Sequence, residues 1–155
     1  MSPKETLMGA SRKAGAEQVR VLVICTGNSA RSQIAEALFR YLGGGRVAAY
    51  SAGSNPAPVV HPLAVRVMAE IGVDLSAHHP KPLTAYLGQS FDVIIAVCSR
   101  AAESCPAFPG SVARLNWFYD DPTALEGGAA ERLAAFRALR DNLQQRIAAW
   151  LAENL

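Results

Sequence analysis

The chain is short of net charge, of cysteine and of long apolar runs. Its formal charge is +2 over 155 residues, too small to argue for a nucleic acid or an anionic membrane as a partner. It has no basic stripe with interleaved aromatics of the kind that follows a phosphate backbone. No apolar run approaches the roughly 20 residues of a membrane helix. Met1 to Gln18 is rich in Ser, Gly, Ala and charge and lacks the apolar centre of a secretory signal. Residues 1–18 therefore read as a flexible extension and 19–155 as one domain. No internal repeat is visible. Three cysteines, Cys25, Cys98 and Cys105, are too few and odd in number for a disulfide framework. A reducing, cytoplasmic setting is expected, with the thiols free, metal-bound or redox-active.

What is present is enough apolar material, 50% of the residues, to fill a core. Arg20 to Ile24, rich in Val, Leu and Ile, reads as a buried strand. Ser29 to Leu42 reads as a helix with Ile34, Leu38 and Tyr41 or Leu42 on one face, stopped by Gly43-Gly44-Gly45. Arg46 to Ser51 is a second strand. Pro62 opens a helix to about Ile71, with Gly72 at its end. Pro80 and Pro82 mark a loop before a short helical piece. Phe91 to Val97 is a third strand, Ser99 to Ser104 a short helical segment, and Ser111 to Asn116 a fourth strand. From about Gly128 to Glu153 a long helix carries Phe136, Leu139, Leu143, Ile147 and Trp150 on one stripe. Strands alternating with helices predict an α/β fold, an open four-stranded parallel sheet with helices on both faces. Sites in such sheets lie at the carboxyl ends of the strands, and Cys25 and Cys98 each follow a strand.

The most informative segment is Cys25-Thr26-Gly27-Asn28-Ser29-Ala30-Arg31-Ser32, between the first strand and the first helix. Backbone N–H groups from Thr26 to Ser32, helped by the positive end of the helix dipole, would converge on a tetrahedral oxyanion. Arg31 supplies a planar fork that matches two anion oxygens. Gly27 is expected to permit a close backbone approach or a positive φ. The same field is expected to lower the pKa of Cys25, with Ser32 donating a hydrogen bond to the sulfur and Asn28 pinning the loop. A second element is Asp120-Asp121-Pro122: an aspartate here would serve as general acid toward a leaving oxygen, although Asp-Pro is also an ordinary turn signal.

Cys98 and Cys105 enclose six residues. On an intact helix they would stand about 10.5 Å apart, beyond the roughly 7 Å between Cα atoms that a disulfide tolerates. A bond between them requires residues 99–104 to unwind. A metal site is a poor fit to three widely spaced cysteines, and His61, His78 and His79 read as ordinary loop or surface residues.

Taken together, Cys25 to Arg31, Ser51-Ala52-Gly53, Cys98 with Cys105, and Asp121-Pro122 resemble the thioredoxin-coupled arsenate reductases, which share the fold of the low-molecular-weight protein tyrosine phosphatases. The resemblance covers roughly residues 20 to 150. It implies a single catalytic domain with Cys25, Arg31, Ser32, Cys98, Cys105 and Asp121 as catalytic residues and Thr26 to Ser32 as the oxyanion cradle. It implies that Cys25 attacks arsenate while Asp121 protonates the leaving oxygen, that Cys98 attacks Cys25 and releases arsenite, and that Cys105 then draws the disulfide outward for thioredoxin. No bound cofactor and no metal are expected, the external reductant is thioredoxin, and the protein is expected to act as a monomer.

The chain departs from the pattern of the family it resembles at several positions. Ala30 stands where many phosphatases of this fold have a second loop cysteine, and Gln33 where they often have proline. Some family members bind potassium through Asn, Glu, Ser and Asp. Asn28, Glu36 and Ser51 match these, but Lys81 takes the Asp position, so its ammonium is expected to replace the ion. Two other functions compete: a phosphatase for phosphotyrosine or small phosphoesters, since phosphate and arsenate share shape and charge, and a non-catalytic thiol module holding arsenite or a soft metal. Thr123-Ala124-Leu125 after the Asp-Pro weakens the first, for tyrosine phosphatases of this fold tend to carry aromatics there. The second leaves Arg31 and Asp121 without roles.

Overall fold

The computed structural model describes residues 18–110 and 112–155. Apart from Gln18, the expected N-terminal extension lies outside the described residues. The chain runs β1 (Val19–Cys25), α1 (Arg31–Gly43), β2 (Val47–Gly53), α2 (Pro62–Ala69), β3 (Val93–Ala96), α3 (Ser99–Ser104), β4 (Ala113–Asn116) and α4 (Ala129–Asn154), with 3-10 turns at Gly44–Arg46, Leu83–Tyr86 and Pro122–Ala124. The four strands form one open, all-parallel sheet in the order β2-β1-β3-β4, with helices on both faces, as expected. Among the described residues no helix is long and apolar enough to cross a membrane.

Burial follows position in the sheet. Central β1 and β3 are almost wholly buried, which explains their unbroken Val/Leu/Ile composition, whereas edge strand β4 buries only Leu115 and exposes Arg114 and Asn116. The α4 stripe is realised in full: Phe136, Leu139, Leu143, Ile147 and Trp150 are all buried. Each such side chain contributes about 1.5–3 kcal/mol by leaving water. Trp150 meets Phe39 of α1 edge-on at 5.8 Å, and Phe39 stacks on Trp117 at 6.2 Å.

The expected boundaries move for local reasons. β1 reaches Cys25, so the first thiol is the last residue of the strand. β2 begins at Val47 because Gly44–Arg46 form a 3-10 turn, and it extends to Gly53, paired with Cys25. β3 shortens to Val93–Ala96, although Phe91 remains buried. α1 starts at Arg31, two residues later than expected, because Ala30 at φ −135° still belongs to the loop. Within α1, Ile34 and Leu38 face the core as expected. Tyr41 is 55% exposed, so Leu42 is the residue packed on the core at that end.

Candidate active site

The register sets the site. Ile24 of β1 lies beside Ala96 of β3, and the Val97 N–H donates to the Ile24 carbonyl at 3.0 Å. Cys25, the last residue of β1, and Cys98, two residues beyond β3, therefore lie at the carboxyl ends of neighbouring parallel strands, the condition under which they share one sheet edge. Both are buried, and all three cysteines are free thiols.

Between β1 and α1 the loop wraps around the Cys25 sulfur. The Asn28 backbone N–H donates to Cys25 Sγ at 3.1 Å, and Ser32 Oγ lies 2.8 Å from it. Asn28 Nδ2 donates to Ser32 Oγ at 2.7 Å. With one lone pair occupied, the Ser32 hydroxyl keeps its proton free for the sulfur. Ala30 offers no side-chain cap to α1, and the first turn carries no acidic residue. The helix N-terminus is thus left without a side-chain cap or a neutralising carboxylate.

Asn28 bears the conformational burden expected of Gly27. It has φ +49° and is the non-glycine residue with positive φ among those described; Gly27 is not in that region, and a Cβ there would meet only ordinary contacts. Asparagine tolerates this conformation better than most side chains. Here it is also held: Nδ2 donates to Ser51 Oγ at 2.9 Å as well as to Ser32, and Oδ1 accepts from the Lys81 N–H at 2.8 Å and from Gln33 Nε2 at 3.1 Å. The glycine that permits close approach is Gly53, where a Cβ would collide with the Thr26 carbonyl and crowd the Asn28 backbone.

The expected fall in the Cys25 pKa is not what the site produces. Burial pushes the thiol up, and this outweighs the hydrogen bonds from Ser32 and Asn28 and the charge of Arg31, all of which pull it down as expected. The donors around the sulfur are therefore what makes a thiolate attainable in a dry pocket.

Arg31 spans the mouth of the site. Nη1 donates to the Tyr119 carbonyl at 2.9 Å, and Nη2 stands 3.8 Å from Asp121 Oδ2. Asp121 fills the turn role of its motif. Its Oδ1 caps the 3-10 turn by accepting from the Thr123 N–H and hydroxyl, while Oδ2 faces Arg31. Cys98 is the residue just before α3, and its sulfur lies 3.4 Å from Thr26 Oγ1. Cys105 lies at the far end of α3. With residues 99–104 helical, the two outer thiols are held apart as the spacing required.

Behind the loop, buried Glu36 accepts from Ser51 Oγ at 2.5 Å and is surrounded by cations: Arg40 Nη1 at 3.1 Å from Oε2 and Lys81 Nζ at 3.6 Å from Oε1. His78 Nδ1 lies 3.7 Å from Glu36 and 3.3 Å from Gln33 Oε1; burial pushes its pKa down, against the pull of Glu36. With two permanent cations already on this carboxylate, the site does not fit a potassium ion. His61 caps α2 and lies against Phe136, an ordinary structural role. Among the described residues no cluster could hold a metal.

Two contributions were not legible in advance. Gln33, noted only as a departure from proline, is fully buried and donates to the Asn28 backbone carbonyl at 3.2 Å and the His79 carbonyl at 3.1 Å, tying the loop to residues 78–81. The Tyr119 carbonyl that orients Arg31 carries no side-chain signal at all.

Residues 20–155 match the family model of the low molecular weight phosphotyrosine protein phosphatases. The chain belongs to that family. Its relatives include an arsenate reductase of Halalkalibacterium halodurans, 40% identical over 127 residues that cover 82% of this chain and 91% of the relative. Among solved structures, an arsenate reductase in the phosphate binding state superposes with a TM-score of 0.70 at 27% identity, covering 89% of this chain and 100% of that one. A Corynebacterium glutamicum thioredoxin-dependent arsenate reductase superposes with a TM-score of 0.63 at 33% identity, covering 87% of this chain and 64% of that one. Family and fold are those that the motifs implied.

Proposed function

We propose that this member of the low-molecular-weight phosphatase family is a thioredoxin-dependent arsenate reductase working through a three-cysteine relay. The observation that carries the reading is the contact between Thr26 Oγ1 and Cys98 Sγ at 3.4 Å, which sets a second thiol against the loop enclosing the first. A phosphatase has no use for it. The names of the relatives support the same reading.

In the proposed reaction Thr26 to Ser32, with the Arg31 fork, hold arsenate over Cys25. The Cys25 thiolate attacks arsenic, and the departing oxygen takes a proton from Asp121. Cys98 then attacks Cys25 Sγ. The sulfur–arsenic bond breaks, its electron pair stays on arsenic, and arsenite leaves behind a Cys25–Cys98 disulfide. Cys105 attacks Cys98 Sγ, Cys25 departs as thiolate, and a dithiol of thioredoxin reduces the resulting Cys98–Cys105 bond. The cycle needs no bound cofactor and no second copy of the chain, so the enzyme is proposed to act as a monomer in the reducing cytoplasm. A weak phosphatase activity is expected beside it, because the loop meets phosphate with the same donors.

The test is turnover with arsenate, thioredoxin, thioredoxin reductase and NADPH. Cys25→Ser, Cys98→Ser and Cys105→Ser are each expected to abolish multiple turnovers, while Cys105→Ser still releases about one arsenite per enzyme. Normal cycling by both Cys98→Ser and Cys105→Ser sinks the relay, whereas a wild-type enzyme that releases no arsenite but hydrolyses phosphoesters is a phosphatase.

The reading extends to Lys81, whose ammonium, with Arg40, supplies the charge that potassium would bring to Glu36. Exchanging potassium for a bulky organic cation at constant ionic strength is therefore expected to leave turnover unchanged. A steep rise of activity with potassium counts against this role.

A further inference from the structure

We infer that Arg114, on the exposed edge strand, is a further catalytic residue: its guanidinium serves the Cys105 sulfur in the second exchange of the relay. The inference rests on the relay reading above. None of the sequence motifs includes this residue. It occupies the second position of β4, at 114, and is turned to solvent. Across the short loop after α3, Arg114 Nη1 donates to Cys105 Sγ at 3.0 Å and Nη2 donates to the Pro106 carbonyl at 3.1 Å. The Cys105 thiol itself donates to that carbonyl at 3.5 Å. One planar fork thus grips the sulfur and the adjacent backbone together, a match that an ammonium reproduces only in part.

The chemistry follows from the partners. A guanidinium N–H bonds most strongly to an acceptor that carries negative charge, and the thiolate is the attacking form of cysteine. Cys25 has Ser32, the Asn28 N–H and Arg31 about its sulfur, and Cys98 has Thr26. Arg114 gives the third thiol a charged donor of its own. In the step concerned, Cys105 thiolate attacks Cys98 Sγ in the Cys25–Cys98 disulfide. A Cys98–Cys105 bond forms, the Cys25–Cys98 bond breaks, and its electron pair leaves on Cys25. No outside oxidant or reductant enters. Arg114 lies on β4, outside α3, so its charge remains near the sulfur's starting position when residues 99–104 open.

The test uses the intact enzyme with Arg114→Met, which keeps length and removes charge, and Arg114→Lys, which keeps charge and loses the fork. Arsenite released without thioredoxin should remain about one per enzyme in both, because Cys25 and Cys98 suffice for it; this also reports an intact fold. Conversion of the Cys25–Cys98 disulfide to Cys98–Cys105, followed by rapid quenching, thiol alkylation and peptide mapping, is expected to slow about tenfold in Arg114→Met and to recover in part in Arg114→Lys. In steady state kcat should fall with the KM for arsenate unchanged. Conversion at the wild-type rate or faster in Arg114→Met overturns the proposal, as does loss of the arsenite burst in both variants. Cys105→Ser, run alongside, separates the two failures: if it cycles normally, the relay is wrong and Arg114 falls with it; if it does not cycle and Arg114→Met is normal, only Arg114 is wrong.

Discussion

Arg31→Lys is expected to lower kcat/KM for arsenate by about 10²- to 10³-fold, the cost of losing a preorganised donor at an oxyanion. A lysine at 31 carries the same charge, but the site uses the fork. One nitrogen of Arg31 is committed to the Tyr119 carbonyl and the other stands 3.8 Å from Asp121. The guanidinium plane is thereby fixed before substrate arrives, and its position toward the Asp121 loop is fixed with it. A lysine ammonium can take the Tyr119 carbonyl or the anion with good geometry, not both. Steady-state rates over a range of arsenate concentrations, together with the arsenite burst, check this. A loss of less than about fivefold would mean that backbone N–H groups alone hold the anion.

The second large effect is at Asn28. Asn28→Ala is expected to destabilise the fold by about 2–4 kcal/mol, from the stranding of buried partners and the cost of a positive φ without a compensating side chain. For a domain of this size that corresponds to a fall in Tm of roughly 10 °C. Ser32, Ser51, Gln33 and the Lys81 N–H each lose a partner at once. Activity should fall further than stability explains, because the Asn28 N–H donates to the Cys25 sulfur and the Asn28 amide, by occupying a lone pair of Ser32, leaves the Ser32 proton for that sulfur. Asn28→Asp separates the two effects. It keeps the size and the acceptor toward Lys81 but replaces the donor to Ser32 and Ser51 by a second acceptor. Slower alkylation of Cys25 at fixed pH, with a smaller loss of Tm than in Asn28→Ala, is the expected result. Calorimetry and iodoacetamide kinetics read both, and unchanged alkylation would remove the argument about proton direction.

The parts of this molecule that were legible beforehand are those whose signal is local. The Val/Leu/Ile run of β1, the spacing of Phe136 to Trp150, and the sequence from Cys25 to Ser32 each declare themselves within a few residues. The common edge of Cys25 and Cys98 is legible only on the condition that their strands are parallel neighbours, which the sheet order meets. The features that differ from the sequence expectation depend on contacts across the chain. Gly27 was expected to need its freedom, but Gly53, 26 positions later in sequence, meets the Thr26 carbonyl and forces the close approach. The Cys25 field was judged from its donors, whereas its burial is set by the surrounding sheet and helices. The Tyr119 carbonyl meets Arg31 from 88 positions away and Arg114 meets Cys105 across a loop, and neither residue type at those positions signals a role.

The brevity of α3 has a consequence for the rest of the molecule. Six residues form fewer than two turns, and only Ala101 among them is buried. Such a segment gains little from its own hydrogen bonds against the cost of nucleation, so opening it belongs to the low end of the local-unfolding scale. Under the proposed relay, a switch this shallow could be thrown many times without loosening the sheet beneath it. The oxidised and reduced forms would then differ in amide exchange at residues 99–106 while sharing nearly one melting temperature, and wear from repeated cycling would be confined to the rim that a reductant must reach.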